Sequence, residues 1–180
     1  MYKINYINIS GEDMVYNRIA AVNYAYKYAL KPNKEFVYFP LRENVGGDCT
    51  NFTSQCLLAG GASMSYSPQP WYYKKLLTPP KYECSISWSV AHSLYWLLRV
   101  NDEKGYPGPK GKQITNKNLL ELGDIIFLRD SKGLVFHSAI ITSFTSNREP
   151  LIAQHTFDAL NIAIKDTWPR DAIHYLKIYL

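Results

Sequence analysis

From Gly123 onward the chain becomes a succession of short β-branched or aromatic runs, each closed by turn residues. GDIIFLRD, FHSAIITSF, PLIAQHTF, LNIAIKD and IHYLKIYL read as strands. Lys132-Gly133 and Asn147-Arg148 fall where hairpin turns belong. The first half is different in kind, with apolar residues recurring at helical spacing. Helices first and strands afterwards imply an α+β domain with an antiparallel sheet.

In the helical half, Ser10 and Asp13 resemble a capping box, and Val15, Ile19, Val22, Tyr26 and Ala29 follow at helical spacing. This first helix should stop at Leu30 to Lys31, before Pro32. An extended EFVYF comes next and is stopped by Pro40. A second helix should start at Asp48 or Cys49 and end at the Gly60-Gly61 pair. The stretch Ala62 to Glu83, with SPQPWYY at its centre, reads as an ordered loop. A third helix is expected over SWSVAHSLYWLLRVN, capped by Ser87, with Trp88, Ala91, Tyr95 and Leu98 on one face. GYPGPKGK then marks a turn-rich connection.

The 180 residues suit one domain spanning 1–180, large enough for a core without disulfides or metals. A net charge of +5 with scattered lysines reads as solvated surface rather than a nucleic-acid stripe, although it suits attraction to an anionic polymer. No segment has the roughly 18 apolar residues of a membrane span, and MYKINYINISGED lacks the features of a signal peptide. As written, the chain is expected in the cytoplasm. A domain of a longer exported protein would instead sit outside the cell or at its wall.

The three cysteines exclude a complete disulfide framework. GGDC places Asp48 at a helix N-cap and Cys49 at the first helical position, where free N–H groups and the helix dipole stabilise a thiolate. The same geometry offers the Cys49 N–H to an oxyanion. Asp48 acts in the opposite sense, because a neighbouring carboxylate raises a thiol pKa, so a histidinium is needed nearby. Cys56 lies seven residues on, about 10.5 Å along the helix, too far for a disulfide with Cys49. It belongs to the core with Phe52. Cys84 has no evident role.

Of the four histidines, His137 opens one strand and His155 lies near the end of the next. A hairpin centred near Ser146 would set position 137 opposite position 155, with both side chains on one sheet face. That arrangement suits Cys49 as nucleophile, His137 as base and His155 as the group fixing the imidazole tautomer. The alternative is that the histidines are satisfied polar residues near a sheet end. His92 and His174 read as packing or surface residues, and no close Cys or His pair has metal-ligand spacing. No metal or organic cofactor is expected.

Gly-Asp-Cys opening a helix, then LELGDIIF, a strand-initial His and a strand ending in His resembles NlpC-type papain-like cysteine peptidases. YNRIAAVNYAYKYA, GGDCTNFTSQCLLAGG, WYY, SISW and AQHTFD resemble more closely the putative amidase domain found in many Firmicutes. The resemblance implies a papain-like, NlpC-type fold, in which an N-terminal helical lobe with Cys at a helix N-terminus packs on a C-terminal antiparallel sheet. It also implies hydrolysis of amide bonds by Cys49, His137 and His155. Thr50 and Asn51 depart from the Ser-Gly that follows the catalytic Asp-Cys in wall peptidases. Tyr38, with Asn44 competing, stands for the tyrosine those relatives place near the oxyanion. Trp71, Tyr72 and Trp88 line a cleft or pack the helical lobe.

The substrate implied is a peptide or other amide, cell-wall peptide foremost, and not a nucleic acid. A papain-like transferase or deamidase acting on protein or lipid, and a non-catalytic interaction module on the same fold, are the alternatives.

Overall fold

The computed structural model describes residues 15–43 and 45–180. The Ser10–Asp13 capping box lies outside them. Asn17 caps the first described helix, α1 (Arg18–Tyr28), by accepting from Ala20 N–H at 2.9 Å. Its buried side is Ala21, Val22 and Ala25, continued by Ala29, whereas Val15 and Ile19 are exposed. The expected stripe is therefore rotated. Small alanine side chains let α1 approach the second helix closely, which the larger Ile19 and Val15 would prevent.

Of the expected extended run, Glu35 and Phe36 lie in a turn closed by Phe36 N–H on the Asn33 carbonyl; residues 37–39 join no sheet, and side chains satisfy their backbone instead. Tyr73 Oη accepts from Val37 N–H at 3.0 Å, and Asn51 Nδ2 donates to the Val37 carbonyl at 2.8 Å. The short antiparallel pair β1 (Leu41–Arg42) and β2 (Val45–Gly46) then leads into α2 (Cys49–Ala59). A second pair, β3 (Tyr73–Lys75) with β4 (Tyr82–Cys84), follows.

The expected third helix is two helices, α3 (Ile86–Ser89) and α4 (Ala91–Lys104), separated by Val90 in extended conformation. Ser85 holds the N-cap position of α3. Ser87, the expected cap, lies inside the turn and donates to the Pro70 carbonyl. Trp88, Ala91, Tyr95 and Leu98 are all buried, as the spacing predicts.

The main sheet comprises β5 (Lys110–Ile114), β6 (Ile125–Arg129), β7 (Val135–Phe144), β8 (Pro150–Gln154), β9 (Ala159–Ala163) and β10 (Ala172–Tyr179). Its order is β5-β10-β6-β7-β8-β9, with every neighbouring pair antiparallel. Alternation divides its side chains between two cores. Ile125, Phe127, Ile140, Ala153 and Leu176 pack with the helices. Ile126, Leu128, Ala139, Ile141 and Ile152 form a second cluster on the far face, closed by Ile164 and Trp168. The molecule is thus an α+β assembly of helices on an antiparallel sheet.

Trp71 and Trp88 are completely buried in the first core, with ring centroids 5.0 Å apart. Their indole N–H groups are satisfied by α2: Trp88 donates to Asn51 Oδ1 at 2.7 Å, and Trp71 to Ser54 Oγ at 3.1 Å. Neither lines a cleft. Their work is to fix the rotation of the helix that begins at Cys49.

Arg18 joins α1 to the sheet through the fully buried Asp124. Its guanidinium meets Asp124 Oδ1 at 2.6 Å and donates to the Ile178 carbonyl at 2.9 Å. The same carboxylate accepts from Ile178 N–H and Glu121 N–H. Arg18→Met should therefore destabilise the fold by about 3 kcal/mol, because it strands a buried carboxylate. Urea unfolding measures this, and a loss under about 1 kcal/mol would refute it.

Candidate active site

Cys49 occupies the first turn of α2 and is nearly enclosed. Its thiol meets the Thr50 hydroxyl at 3.6 Å, the His137 imidazole and the Ser138 N–H. Burial pushes the thiol pKa up. The adjacent His137, by charge and by hydrogen bond, together with Ser138 N–H and Thr50, more than reverses that and leaves it at about 7. Burial pushes His137 down, but Cys49 and the hydrogen bond to Gln154 carry it above the usual histidine value. The two shifts together favour thiolate beside imidazolium, and such a pair titrates as a unit.

Beneath the thiol runs a seam of hydroxyls. Ser138 Oγ lies 3.2 Å from Thr50 Oγ1 and 3.1 Å from Thr53 Oγ1, and Thr53 donates to the Cys49 carbonyl at 2.9 Å. These bonds tie the first turn of α2 to β7, the strand that carries His137.

His137 Nε2 faces Gln154 Oε1 at 2.9 Å, not His155. Gln154 Nε2 donates to the Phe157 carbonyl at 3.0 Å, which fixes the amide so that its oxygen faces the ring. The proton therefore resides on His137 Nε2, and Nδ1 is the nitrogen left for Cys49. The expected pairing of His137 with His155 fails because of register. The β7–β8 turn is centred on Asn147, and the partners Ile141↔Ile152 and Ser143↔Leu151 leave Thr142 as an extra, bulged residue. One inserted residue moves everything beyond it to the opposite face. Gln154 consequently joins His137 on one side, diagonally across the strand pair, and its length spans the gap.

His155 turns toward the helices. Its Nδ1 lies 2.5 Å from Asp48 Oδ2 and its Nε2 2.9 Å from the Tyr28 carbonyl, while the ring stacks on Phe52 at 4.1 Å. Both ring nitrogens face acceptors, so both must carry protons and the ring is an imidazolium. Burial lowers the His155 pKa, but the bonds to Asp48 and Tyr28 outweigh it and the net shift is upward.

Asp48 holds the N-cap position without capping, since its side chain makes no bond to the helix N–H groups. Its other oxygen accepts from Phe39 N–H and from Asn51 Nδ2, both at 2.8 Å. Asp48 N–H donates to Thr156 Oγ1 at 2.5 Å. Gly47, at φ +105°, makes this approach feasible: a Cβ there would stand 2.8 Å from the same hydroxyl oxygen.

A cavity of about 360 Å³ opens beside Cys49, bordered by Phe39, Gly47, Thr50, Leu134 and Phe136. The Cys49 N–H, at the start of α2, has no acceptor within the helix and is an oxyanion donor by position. Tyr38 is not brought to this cavity. Its ring lies 5.8 Å from that of His155, and its hydroxyl meets Asp158. Asn44 lies outside the described residues. Tyr72 is half-buried and borders a neighbouring groove. His92 lines both hollows, while His174 stands by Gln113 with its ring 5.0 Å from that of Tyr95. Burial pushes the Cys56 thiol well up and the Cys84 thiol up, so neither is activated.

The sequence model of the putative amidase domain matches residues 15–178, which include every residue of this cluster. The chain belongs to that family. Two curated relatives of this chain, both from Bacillus subtilis strain 168, are uncharacterized protein YhbB and uncharacterized protein YjcM. Each is 31% identical, over 83% and 82% of this chain. The chain spans 44% and 32% of their respective lengths. No solved structure matches it. Among the described residues, no helix is long and apolar enough to cross a membrane, and no three His, Cys, Asp or Glu side chains form a metal-ligand group.

The His155–Asp48 pair gives a pH dependence of stability. A histidine raised in the folded state contributes fully below its unfolded pKa, about 6.5, and that contribution fades as pH rises through the folded value. The unfolding free energy of wild type minus that of His155→Asn should therefore shrink as pH rises above about 6.5. Chemical denaturation across pH measures it, and a constant difference would show that His155 is neutral in the fold.

Proposed function

We propose that this putative amidase domain is a cysteine-dependent amide hydrolase with Cys49 as nucleophile, His137 as general acid–base and Gln154 as the group that orients His137. The observation carrying this reading is the thiol at a helix start, lowered to about 7 beside a buried imidazole whose outer nitrogen is held by Gln154. Cysteine on a helix, histidine on one strand and a polar side chain on the next is the arrangement of NlpC-type papain-like peptidases, which supports a papain-like reading of the fold. Of the triad Cys49, His137 and His155, the third position passes to Gln154. His155 becomes the residue that sets Asp48.

In the reaction, the Cys49 thiolate adds to the amide carbonyl and the electron pair moves onto oxygen, where the Cys49 N–H meets it. The oxyanion collapses, the C–N bond breaks, and His137 passes its proton to the departing amine. A thioester remains. Water then attacks it, giving a proton to His137, and collapse releases a carboxylic acid and the thiolate. Gln154 keeps the His137 proton bookkeeping on one nitrogen throughout.

Peptides are the substrate class inferred, with wall peptides first, in keeping with the resemblance and with a net charge of +5 that suits an anionic polymer. Incubation with purified wall fragments and with ordinary peptides, read by mass spectrometry, should give a new amine and carboxylate from one of them. Cys49→Ala should abolish the cleavage, and His137→Ala should lower kcat/KM by about 10²–10⁴. Undiminished cleavage by Cys49→Ala would overturn the proposal.

A further inference from the structure

A second groove, of about 970 Å³, lies next to the Cys49 cavity, between the loop preceding β3, the segment Cys84–Ser87 and the outer flank of α4. The two hollows share His92 as a common wall. Along their joint length, large apolar side chains stand in water. Leu134 and Val90 border the cysteine end, and Ile86, Trp96 and Tyr66 continue the line, with Ile86 70% and Trp96 50% exposed. Single exposed apolar residues are ordinary on a protein surface. Five in one track leading away from a thiol with a lowered pKa mark a contact surface.

The groove is not uniformly apolar. At its far end Tyr66 and Tyr72 stack with centroids 5.0 Å apart, and Lys74 Nζ lies 4.8 and 5.0 Å from their rings. Lys74 takes part in no ion pair among the described residues, and Glu83, opposite it in the β3–β4 pair, instead accepts from the Tyr72 hydroxyl at 2.8 Å. Gln69 and Ser93 add hydrogen-bonding groups along the walls. The wall at His92 has slack built in. Val135 N–H and Trp96 Nε1–H both point at its ring, at 3.3 and 3.2 Å, yet a neutral imidazole has one acceptor nitrogen. The half-exposed indole is the partner able to turn away and meet an incoming group.

We infer that this track is a substrate subsite for a peptide bearing a bulky apolar side chain near the reacting bond and a carboxylate farther along, which Lys74 meets. The inference rests on Cys49 being the nucleophile. An apolar floor with spaced polar groups fits side chains and backbone of a peptide. An acyl chain would leave Gln69, Ser93 and Lys74 without partners. Trp96 and Ile86 take the side chain, and the Tyr66–Tyr72–Lys74 stack takes the anionic end.

Peptide electrophiles test this. One series carries an N-terminal chloroacetyl group and the other a C-terminal chloromethyl ketone, so that the peptide extends to either side of the reacting carbon. Each series compares Phe or Leu with Ala next to the electrophile, and alkylation of Cys49 is followed by mass spectrometry, with iodoacetamide as the reference. In one series the Phe or Leu probe should react about tenfold faster or more than the Ala probe. Trp96→Ala and Ile86→Ser should each reduce that ratio with an unchanged unfolding midpoint, and Lys74→Gln should remove the advantage of an acidic over an amidated distal end. Equal rates for Phe, Leu and Ala probes in both series, with iodoacetamide still selective for Cys49, would overturn the subsite and leave the nucleophile standing. Iodoacetamide showing no preference for Cys49 over Cys84 would overturn the nucleophile itself. Faster alkylation by a long-chain acyl chloromethyl ketone would assign the groove to another occupant and overturn the peptide reading.

Discussion

A carboxylate next to a thiol whose pKa is lowered is an electrostatic liability, and the buried bond between His155 and Asp48 is what removes it. Asp48 immediately precedes Cys49 and is as enclosed as His155 itself. Alone, its charge would disfavour the thiolate and carry a desolvation cost of several kcal/mol. Paired with an imidazolium whose second proton goes to the Tyr28 carbonyl, it becomes a neutral hub. From that hub the carboxylate holds Phe39 N–H and Asn51, and Asn51 in turn holds the indole of Trp88. The position of the α2 start, the path of residues 37–39 and the central tryptophan all follow from this one pair.

Three consecutive residues, the last of β8 and the first two of the turn after it, carry the arrangement into the site. Gln154 reaches His137, His155 reaches the Asp48 side chain, and Thr156 accepts from the Asp48 N–H. Gln154 is the last residue of β8, and the chain turns directly after it, with Thr156 at φ +59°, so one tripeptide reaches both His137 and the start of α2. The separation of thiol and imidazole is thereby set by a single short segment, while the hydroxyl seam of Thr50, Thr53 and Ser138 joins the same two elements from below.

Much of this was legible in the chain. The α+β order, the helix beginning at Cys49 and the hairpins follow from patterns of apolar residues and turn chemistry, and the nearness of His137 to Cys49 is what the family resemblance implies. The partner of His137 does not, because alternation carries no sign of a bulge, and Thr142 looks like any other strand residue until it is paired. Gln154 did leave a trace as a polar residue inside PLIAQ, a run otherwise fit for burial. The face of α1 departs from the apolar pattern for another reason: close helix approach favours alanine over the larger Ile19, and hydrophobicity alone ranks them the other way. Trp71 and Trp88 suit a cleft or a core by sequence, and partners on α2 for their N–H groups decide for complete burial. The break at Val90, which opens the groove beside α4, lies within an unbroken helical pattern.

The central claim is that Cys49 is held as a thiolate by His137, in a geometry fixed from the end of β8. Ultraviolet thiolate absorbance followed through a pH titration, as the difference between wild type and Cys49→Ala, tests it most directly. The expected midpoint is about 7, moving to the ordinary thiol range near 8.5 or above in His137→Gln. A wild-type midpoint already in that range, or one unmoved by His137→Gln, would contradict the account.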